Sequence, residues 1–139
     1  MVMSVRRYVV FLSALFLLSL LLSPWGALSF DLLFFGLLTA FLARFSVPLP
    51  LVGEVRLHYL GALALAYSTS PGWAGLLSAL ALPFASRPPD LLREAFNRSQ
   101  VGLAALLAAH AYGAVGGLPG ALLGAGVYFA ANTGAMLLL

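Results

Sequence analysis

Residues 6–27 have the sequence RRYVVFLSALFLLSLLLSPWGA, and this stretch decides how the rest of the chain is interpreted. Two arginines precede an uncharged, mostly apolar run, and a proline–tryptophan pair follows it. Proline ends a helix, and tryptophan is common where a membrane helix meets water. A secretory signal peptide has a similar order of charge and apolar run. Five further apolar segments follow, so we favour an uncleaved first membrane helix.

The same pattern of apolar run and break recurs along the whole chain. The six predicted segments are residues 8–23, 27–43, 57–70, 73–86, 99–115 and 120–139. Residues 45–56 contain two prolines and a glycine and are predicted to form a loop. Only 8% of the 139 residues are charged, whereas a soluble domain carries about 25%. The predicted fold is therefore all-α: one polytopic membrane helix bundle of six segments, formed by residues 1–139.

All basic residues of the chain are arginines, and a six-segment topology places them on one side of the bilayer. They are Arg6, Arg7, Arg44, Arg56, Arg87, Arg93 and Arg98. Because arginine collects in cytoplasmic loops, both ends of the chain are predicted to be cytoplasmic. The arginines stand at helix ends rather than in one patch, so we expect anionic lipid headgroups, and no nucleic acid, as their partners.

Segments three and four are short for a membrane crossing, at 14 residues each, because a 30 Å hydrocarbon core needs about 20 helical residues. They either cross a locally thin or protein-shielded region, or form a re-entrant hairpin that returns to the same side. Arg87 follows them on the arginine side in both cases. We favour two short crossings.

The polar stretch at residues 87–100 is predicted to contain a short amphipathic helix in the cytoplasmic interface. Asp90 is a candidate N-cap, and Glu94 stands four residues before Arg98, the favourable order for a helical ion pair. The helix is either a lipid-facing connector or a coupling element between the membrane part and a cytoplasmic partner. The candidate coupling residues are Asp90, Arg93, Glu94, Phe96, Asn97, Arg98 and Gln100.

Glycines recur at a spacing of four residues around the start of segment six. Small residues at this spacing let two membrane helices approach closely. We expect segment six to pack against segment five or another neighbour, and a homodimer through this face is the less favoured alternative. The predicted packing residues are Gly113, Gly116, Gly117, Gly120, Gly124 and, as an inter-helix hydrogen-bond partner, Asn132.

Polar side chains at membrane depth define a candidate ligand pocket in the outer half. Ionisable residues inside a membrane usually face the bundle interior and pair, so Asp31 and His110 are candidates to meet. The pocket would be lined by Asp31, Tyr67, His110 and Tyr112. The alternative is that Asp31 stands near water at a helix start, His110 bonds a carbonyl, and the aromatic residues form an interfacial belt.

The motif search predicts no enzyme. The chain has no HExxH, P-loop or GxSxG motif and no cysteine. His58 and His110 fall on opposite sides in the predicted topology, which disfavours a shared metal site. We therefore expect no catalytic residue, metal or cofactor.

Two parts of the sequence resemble a known family. They are residues 93–100, REAFNRSQ, with the following alanine-rich run to YGAVGG, and residues 128–133, YFAANT. This pattern is similar to the N-terminal membrane sensor regions of bacterial HD-GYP-type phosphohydrolases and diguanylate cyclases. The resemblance implies a multi-pass domain of the bacterial inner membrane, without catalytic residues, that feeds a cytoplasmic output domain. It also implies that the protein continues beyond Leu139.

The predicted function is thus a non-enzymatic sensory or anchoring membrane domain. An alternative is a solute-binding membrane subunit that resembles, in topology alone, the substrate-specific component of energy-coupling-factor transporters. A purely structural membrane protein without a ligand is a third possibility.

Overall fold

The computed structural model describes residues 3–51, 53–85 and 87–138. These residues form six helices and one short β-hairpin, so the predicted mostly-α class is confirmed. The helices are α1 (Val5–Leu22), α2 (Phe30–Leu42), α3 (His58–Ser68), α4 (Pro71–Leu80), α5 (Leu91–Val115) and α6 (Gly117–Leu137). Two of them, α1 and α6, are long and apolar enough to cross a membrane.

The prediction of a loop at residues 45–56 is wrong, because an antiparallel β-hairpin forms there. Strand β1 (Ser46–Leu49) pairs with β2 (Gly53–Arg56), with Pro48 opposite Glu54. A two-stranded ribbon has only edge strands, so a proline that cannot donate a hydrogen bond is tolerated. The prolines that indicated a loop are compatible with this ribbon.

The helix boundaries follow ordinary capping chemistry. The Ser4 hydroxyl accepts a hydrogen bond from the amide of Arg7, and the Asp90 carboxylate accepts one from Leu92. Pro71 stands in the first turn of α4, where its missing N–H costs nothing. Gly116 and Gly117 have φ values of 73° and 59° and form the break between α5 and α6, because glycine adopts this conformation without steric cost.

Helix α5 is the centre of the bundle and packs against α1, α3, α4 and α6. Its core neighbours are mostly small. The main cluster of buried residues contains Ala62, Leu65, Ala66, Ala74, Ala104, Ala105, Ala108, Ala109 and Tyr128. Alanine on both sides of a contact lets helix axes approach closely, as in membrane bundles.

The relative directions of the helices follow from residue contacts along α5. Tyr8 packs on Phe96, Ser99 Oγ donates to Ser13 Oγ at 3.0 Å, and Ser23 lies beside His110, so α1 and α5 run in the same direction. Gln100 bonds Asn132 near one end of α6, and Gly120 approaches Tyr112 near the other, so α5 and α6 are antiparallel.

These directions give the bundle two distinct ends. The arginine end comprises the start of α1, the described residues of the links 43–57 and 81–90, the start of α5 and the end of α6. The turn end comprises the links at residues 23–29, 69–70 and 116. Every described arginine lies at the arginine end. At the turn end, the Gly72 amide donates to the Pro24 carbonyl at 3.1 Å, which joins the first turn of α4 to the link at residues 23–29.

Candidate functional site

The most connected polar group at the arginine end is an ion pair between Glu94 and Arg98 on α5. Arg98 Nη2 lies 3.3 Å from Glu94 Oε2, and Glu94 is only 7% exposed. The other carboxylate oxygen accepts a hydrogen bond from the Ala85 amide at 2.6 Å, and Arg98 Nη1 donates to the Ala79 carbonyl at 2.7 Å. The pair therefore ties the start of α5 to the end of α4 and to the link that follows it.

This arrangement corrects the prediction of a separate interfacial helix. Residues 91–98 are the first two turns of the single continuous helix α5. Within these two turns, Phe96 is buried and Leu91 is 85% exposed. Because the Glu94 and Arg98 charges meet each other and backbone groups, they do not require a helix that lies in the headgroup region.

The other candidate coupling residues occupy different environments. Phe96 packs against Tyr8 with ring centroids 6.4 Å apart. Gln100 is buried, and its Nε2 donates to the backbone carbonyl of Asn132 at 2.8 Å. Asp90 caps α5, Arg93 is exposed, and Asn97 is half-buried. Asn132 thus takes part in an α5–α6 hydrogen bond through its main chain, whereas the sequence argument expected its side chain.

At the turn end, the structure brings two of the four predicted pocket residues together. The rings of Tyr67 and Tyr112 have centroids 4.7 Å apart, and the Tyr67 hydroxyl donates to the Ala121 carbonyl at 2.5 Å. The pair joins α3, α5 and α6 at one place. Both side chains are half-buried and already engaged in packing contacts.

The other two predicted pocket residues, His110 and Asp31, make their contacts with different residues. His110 Nε2 is 3.1 Å from the hydroxyl of Ser23, which closes the end of α1. Asp31 stands exposed in the first turn of α2, where Ser29 provides the N-cap. Among the residues that the structure describes, Asp31 and His110 form no ion pair with each other. The expectation that these two side chains meet is therefore wrong.

A pair of tryptophan side chains joins two parts of the turn end. The rings of Trp25 and Trp73 meet edge to face at 5.0 Å. Trp25 Nε1 donates to the Leu20 carbonyl and Trp73 Nε1 to the Gly26 carbonyl, each at 2.8 Å. A bonded indole N–H beside an apolar ring suits a position between water and an apolar phase.

The glycine prediction needs correction at three positions. A Cβ on Gly124 would lie 2.8 Å from the Tyr67 ring and 3.1 Å from the Ala108 carbonyl, and one on Gly120 would lie 3.1 Å from the Tyr112 carbonyl. Gly113 meets nothing within 4 Å, and Gly116 and Gly117 shape the turn instead of a helix contact. The spacing rule cannot distinguish a turn glycine from a packing glycine.

A close crossing in the bundle, where α4 meets α5, was not predicted from the sequence. A Cβ on Gly75 would lie 3.1 Å from the Gly102 carbonyl, and one on Gly102 would lie 3.0 Å from the Gly75 carbonyl. The ring of Phe16 covers Gly102 from the α1 side. The signal was present as isolated glycines within two apolar helices, a position at which close backbone approach is the usual reason.

Within residues 3–51, 53–85 and 87–138, no three His, Asp or Glu side chains are grouped closely enough to hold a metal ion. Comparison of the sequence with family models and curated proteins, and of the structure with solved structures, finds no match.

Proposed function

We propose that this chain is a multi-pass integral domain of the bacterial inner membrane that has a sensory or anchoring role and catalyses no reaction. The observation that carries the proposal is the separation of charge along the bundle. Every described arginine lies at the arginine end, whereas Asp31 is the one charged residue of the described chain at the turn end. Such a separation is the three-dimensional form of the positive-inside rule.

The outward faces of the helices support burial in lipid. Leu21 on α1 is 81% exposed, Leu37 on α2 is 64% exposed, and Leu122 on α6 is 67% exposed. Contact between apolar surface and water costs about 25 cal/mol for each Å². Soluble monomers rarely leave large apolar patches uncovered, whereas a hydrocarbon phase removes this cost.

The proposed topology has six crossings with both ends of the chain on the cytoplasmic side. The helix directions support it, because successive helices alternate between the two ends of the bundle. Helices α3 and α4 contain 11 and 10 residues, which gives about 15–17 Å each. In the proposal they cross with the help of their flanking links, shielded by α5, and do not form a re-entrant hairpin.

The proposed route of a signal runs along the α5–α6 pair, with a cytoplasmic output domain as its receiver. At the turn end, Tyr112 of α5 packs against Tyr67 of α3, and the Tyr67 hydroxyl donates to Ala121 of α6. At the arginine end, Gln100 of α5 donates to the main chain of Asn132 on α6. The Tyr8 hydroxyl also donates to the Ala135 carbonyl at 2.7 Å. A shift of α6 would therefore reach the arginine end together with α1. The resemblance to sensor regions of HD-GYP-type proteins supports this role.

Cysteine labelling tests the topology, because the chain has no native cysteine. Single cysteines replace Leu51 at the arginine end and Leu118 and Ser68 at the turn end, all of them exposed positions. A membrane-impermeant maleimide applied to intact cells should modify Leu118→Cys and Ser68→Cys, and should reach Leu51→Cys only after the membrane is opened. Equal labelling of Leu51→Cys and Leu118→Cys in intact cells would exclude the topology.

A chimera tests the input role. The chain is joined at its C-terminal end to a diguanylate cyclase catalytic domain, and cyclic dinucleotide is measured at matched membrane levels. Gln100→Leu removes the donor to Asn132 and should change output, whereas Thr133→Ala alters an exposed neighbour and should not. If both variants and the parent chimera produce the same amount of cyclic dinucleotide, the chain acts as an anchor and has no sensory role.

A further inference from the structure

Three arginines from distant parts of the sequence line one pocket at the arginine end. Arg44 follows α2, Arg56 ends β2, and Arg87 belongs to the link between α4 and α5. The pocket has a volume of about 380 Å³, and its other described lining residues are Ala43, Phe45, Ser46 and Pro83. The described lining contains no carboxylate. Three arginine residues around one space suit a multiply oxygenated anion, because arginine binds phosphate through paired N–H donors.

An apolar groove runs along the outside of the bundle between α2 and α4. Its volume is about 470 Å³, within the range of ligand sites. The lining residues are Leu28, Ser29, Leu32, Leu33, Gly36, Leu37, Ala40, Trp73, Leu77, Leu80 and Ala81. Gly36 deepens the groove, since a Cβ there would already touch Leu77. The side chains offer almost no polar group, so the groove suits a hydrocarbon chain.

The lining residues place one end of the groove close to the arginine pocket. Ala40 lines the groove and Ala43 lines the pocket, and residues three apart lie on one face of a helix. On the opposite wall, Ala81 belongs to the groove and Pro83 to the pocket. From Leu32 to Ala40 the groove follows α2 for about 12 Å. This length is close to one leaflet, about half of a 30 Å hydrocarbon core.

We infer that the pocket and the groove together bind one anionic phospholipid, with its phosphate on Arg44, Arg56 and Arg87 and one acyl chain between α2 and α4. The inference rests on the proposed membrane insertion and goes beyond it, because general attraction of arginines to anionic headgroups needs neither a pocket nor a groove. A soluble phosphate compound would use the arginines but leave the groove empty. A second copy of the chain would fill the groove but leave the phosphate site unused.

Native mass spectrometry of the purified chain in neutral detergent tests the inference, with phosphatidylglycerol as the anionic probe and phosphatidylcholine as the neutral one. The variant Arg44→Gln/Arg56→Gln/Arg87→Gln should weaken phosphatidylglycerol binding by about tenfold or more. The matched variant Arg6→Gln/Arg7→Gln/Arg93→Gln removes the same charge from exposed positions at the same end and should keep most of the binding. Equal loss in both variants would show diffuse attraction and overturn the site.

A second pair of variants tests the acyl chain. Gly36→Leu fills the groove beside Leu77, whereas Gly126→Leu adds the same side chain to α6 at a position with nothing within 4 Å. Gly36→Leu should weaken phosphatidylglycerol binding, and Gly126→Leu should not. Inorganic phosphate should compete poorly with the lipid. Full lipid binding by Gly36→Leu, or displacement of the lipid by phosphate alone, would overturn the phospholipid assignment in favour of a soluble anion.

Two controls distinguish the phospholipid site from a dimer interface and from the proposed membrane topology. The oligomeric state of each variant is read in the same spectra, and a dimer of the parent that Gly36→Leu abolishes would assign the groove to a second copy of the chain. The labelling experiment is repeated on both arginine variants. Loss of lipid binding with unchanged labelling would mean that the variant affects the lipid site alone. A changed labelling pattern would mean that the variant alters the membrane topology.

Discussion

The guanidinium group of Arg98 reaches from α5 to the carbonyl of Ala79 in the last turn of α4, at 2.7 Å. Carbonyls at a helix end lack an intrahelical partner, and a cation near that end also meets the negative end of the helix dipole. Glu94 holds the guanidinium from the other side, and the Phe84 ring lies 5.3 Å from its central carbon. One side chain thus closes α4 and fixes the start of α5.

Loss of Arg98 should be more damaging than its partly exposed position suggests. Arg98→Met leaves the buried Glu94 carboxylate without its cation. Removal of one partner of a buried pair should cost about 3 kcal/mol here, the lower end of the usual range, because the Arg98 side chain is 23% exposed. Unfolding in a detergent micelle should show this loss. Arg93→Met removes an exposed arginine of the same helix and serves as the control. The double variant Glu94→Gln/Arg98→Met should recover part of the loss, and an additive double variant would contradict the pairing.

Two tyrosine-to-phenylalanine substitutions should have opposite signs. The Tyr128 hydroxyl is buried without a hydrogen-bond partner among the described residues, and the side chain is 1% exposed. Tyr128→Phe removes this unpaired group and should stabilise the fold by up to about 1 kcal/mol. Tyr8→Phe removes a hydroxyl that donates to Ala135 at 2.7 Å and should destabilise it by about 1 kcal/mol. Equal shifts of the two melting temperatures would contradict the assignment.

The glycines of α6 are not equivalent, and the matched pair Gly124 and Gly126 tests this. A Cβ on Gly124 would lie 3.1 Å from the Ala108 carbonyl, which belongs to the backbone and cannot swing away. Gly124→Ala should destabilise the bundle by about 1–3 kcal/mol. Gly126 faces open space, so Gly126→Ala should be neutral or slightly stabilising, because alanine favours the helix. The comparison uses thermal unfolding of the two variants, and a neutral Gly124→Ala would refute the close contact.

The parallel alignment of α1 and α5 can be checked by cross-linking. Ser13 and Ser99 have hydroxyl oxygens 3.0 Å apart, so cysteines at both positions should form a disulfide under mild oxidation. The background is zero because the chain has no cysteine. In Ser19→Cys/Ser99→Cys, one partner moves six residues, or about 9 Å, along α1. Cross-linking of that control as fast as the test pair would rule out this alignment.

Breaks in the bundle could be predicted from sequence, because they depend on local chemistry. Pro24, Pro71 and the glycines at 116–117 each carry their own signal, and ten of the twelve predicted segment boundaries lie within three residues of a helix end in the structure. Asp90 was correctly predicted as a helix N-cap, but the continuation of that helix as one element to Val115 was not predicted. The charges of Glu94 and Arg98 suggested water, whereas the structure satisfies them with Ala85 and Ala79.

The candidate sites depend on distant pairings that no local pattern reveals. The prediction that Asp31 meets His110 rested on their similar depth in the membrane. In the structure, the Ser23 hydroxyl lies beside His110 instead. The pocket of Arg44, Arg56 and Arg87 needs the hairpin to bring β2 back beside the end of α2. Charge counting placed these three arginines at the same side and could not show that they share one space.

At the crossing with Gly75, Gly102 gives α5 no side chain, and this point lies at unequal distances from two contacts of the helix. Arg98 lies four residues to one side, about 6 Å, and Tyr112 lies ten residues to the other, about 15 Å. A rigid tilt of α5 about this pivot reduces the displacement between the two positions by a factor of about 2.5 and reverses its direction. With such a tilt, a large displacement of α5 near Tyr112 produces a smaller displacement in the opposite direction at Arg98.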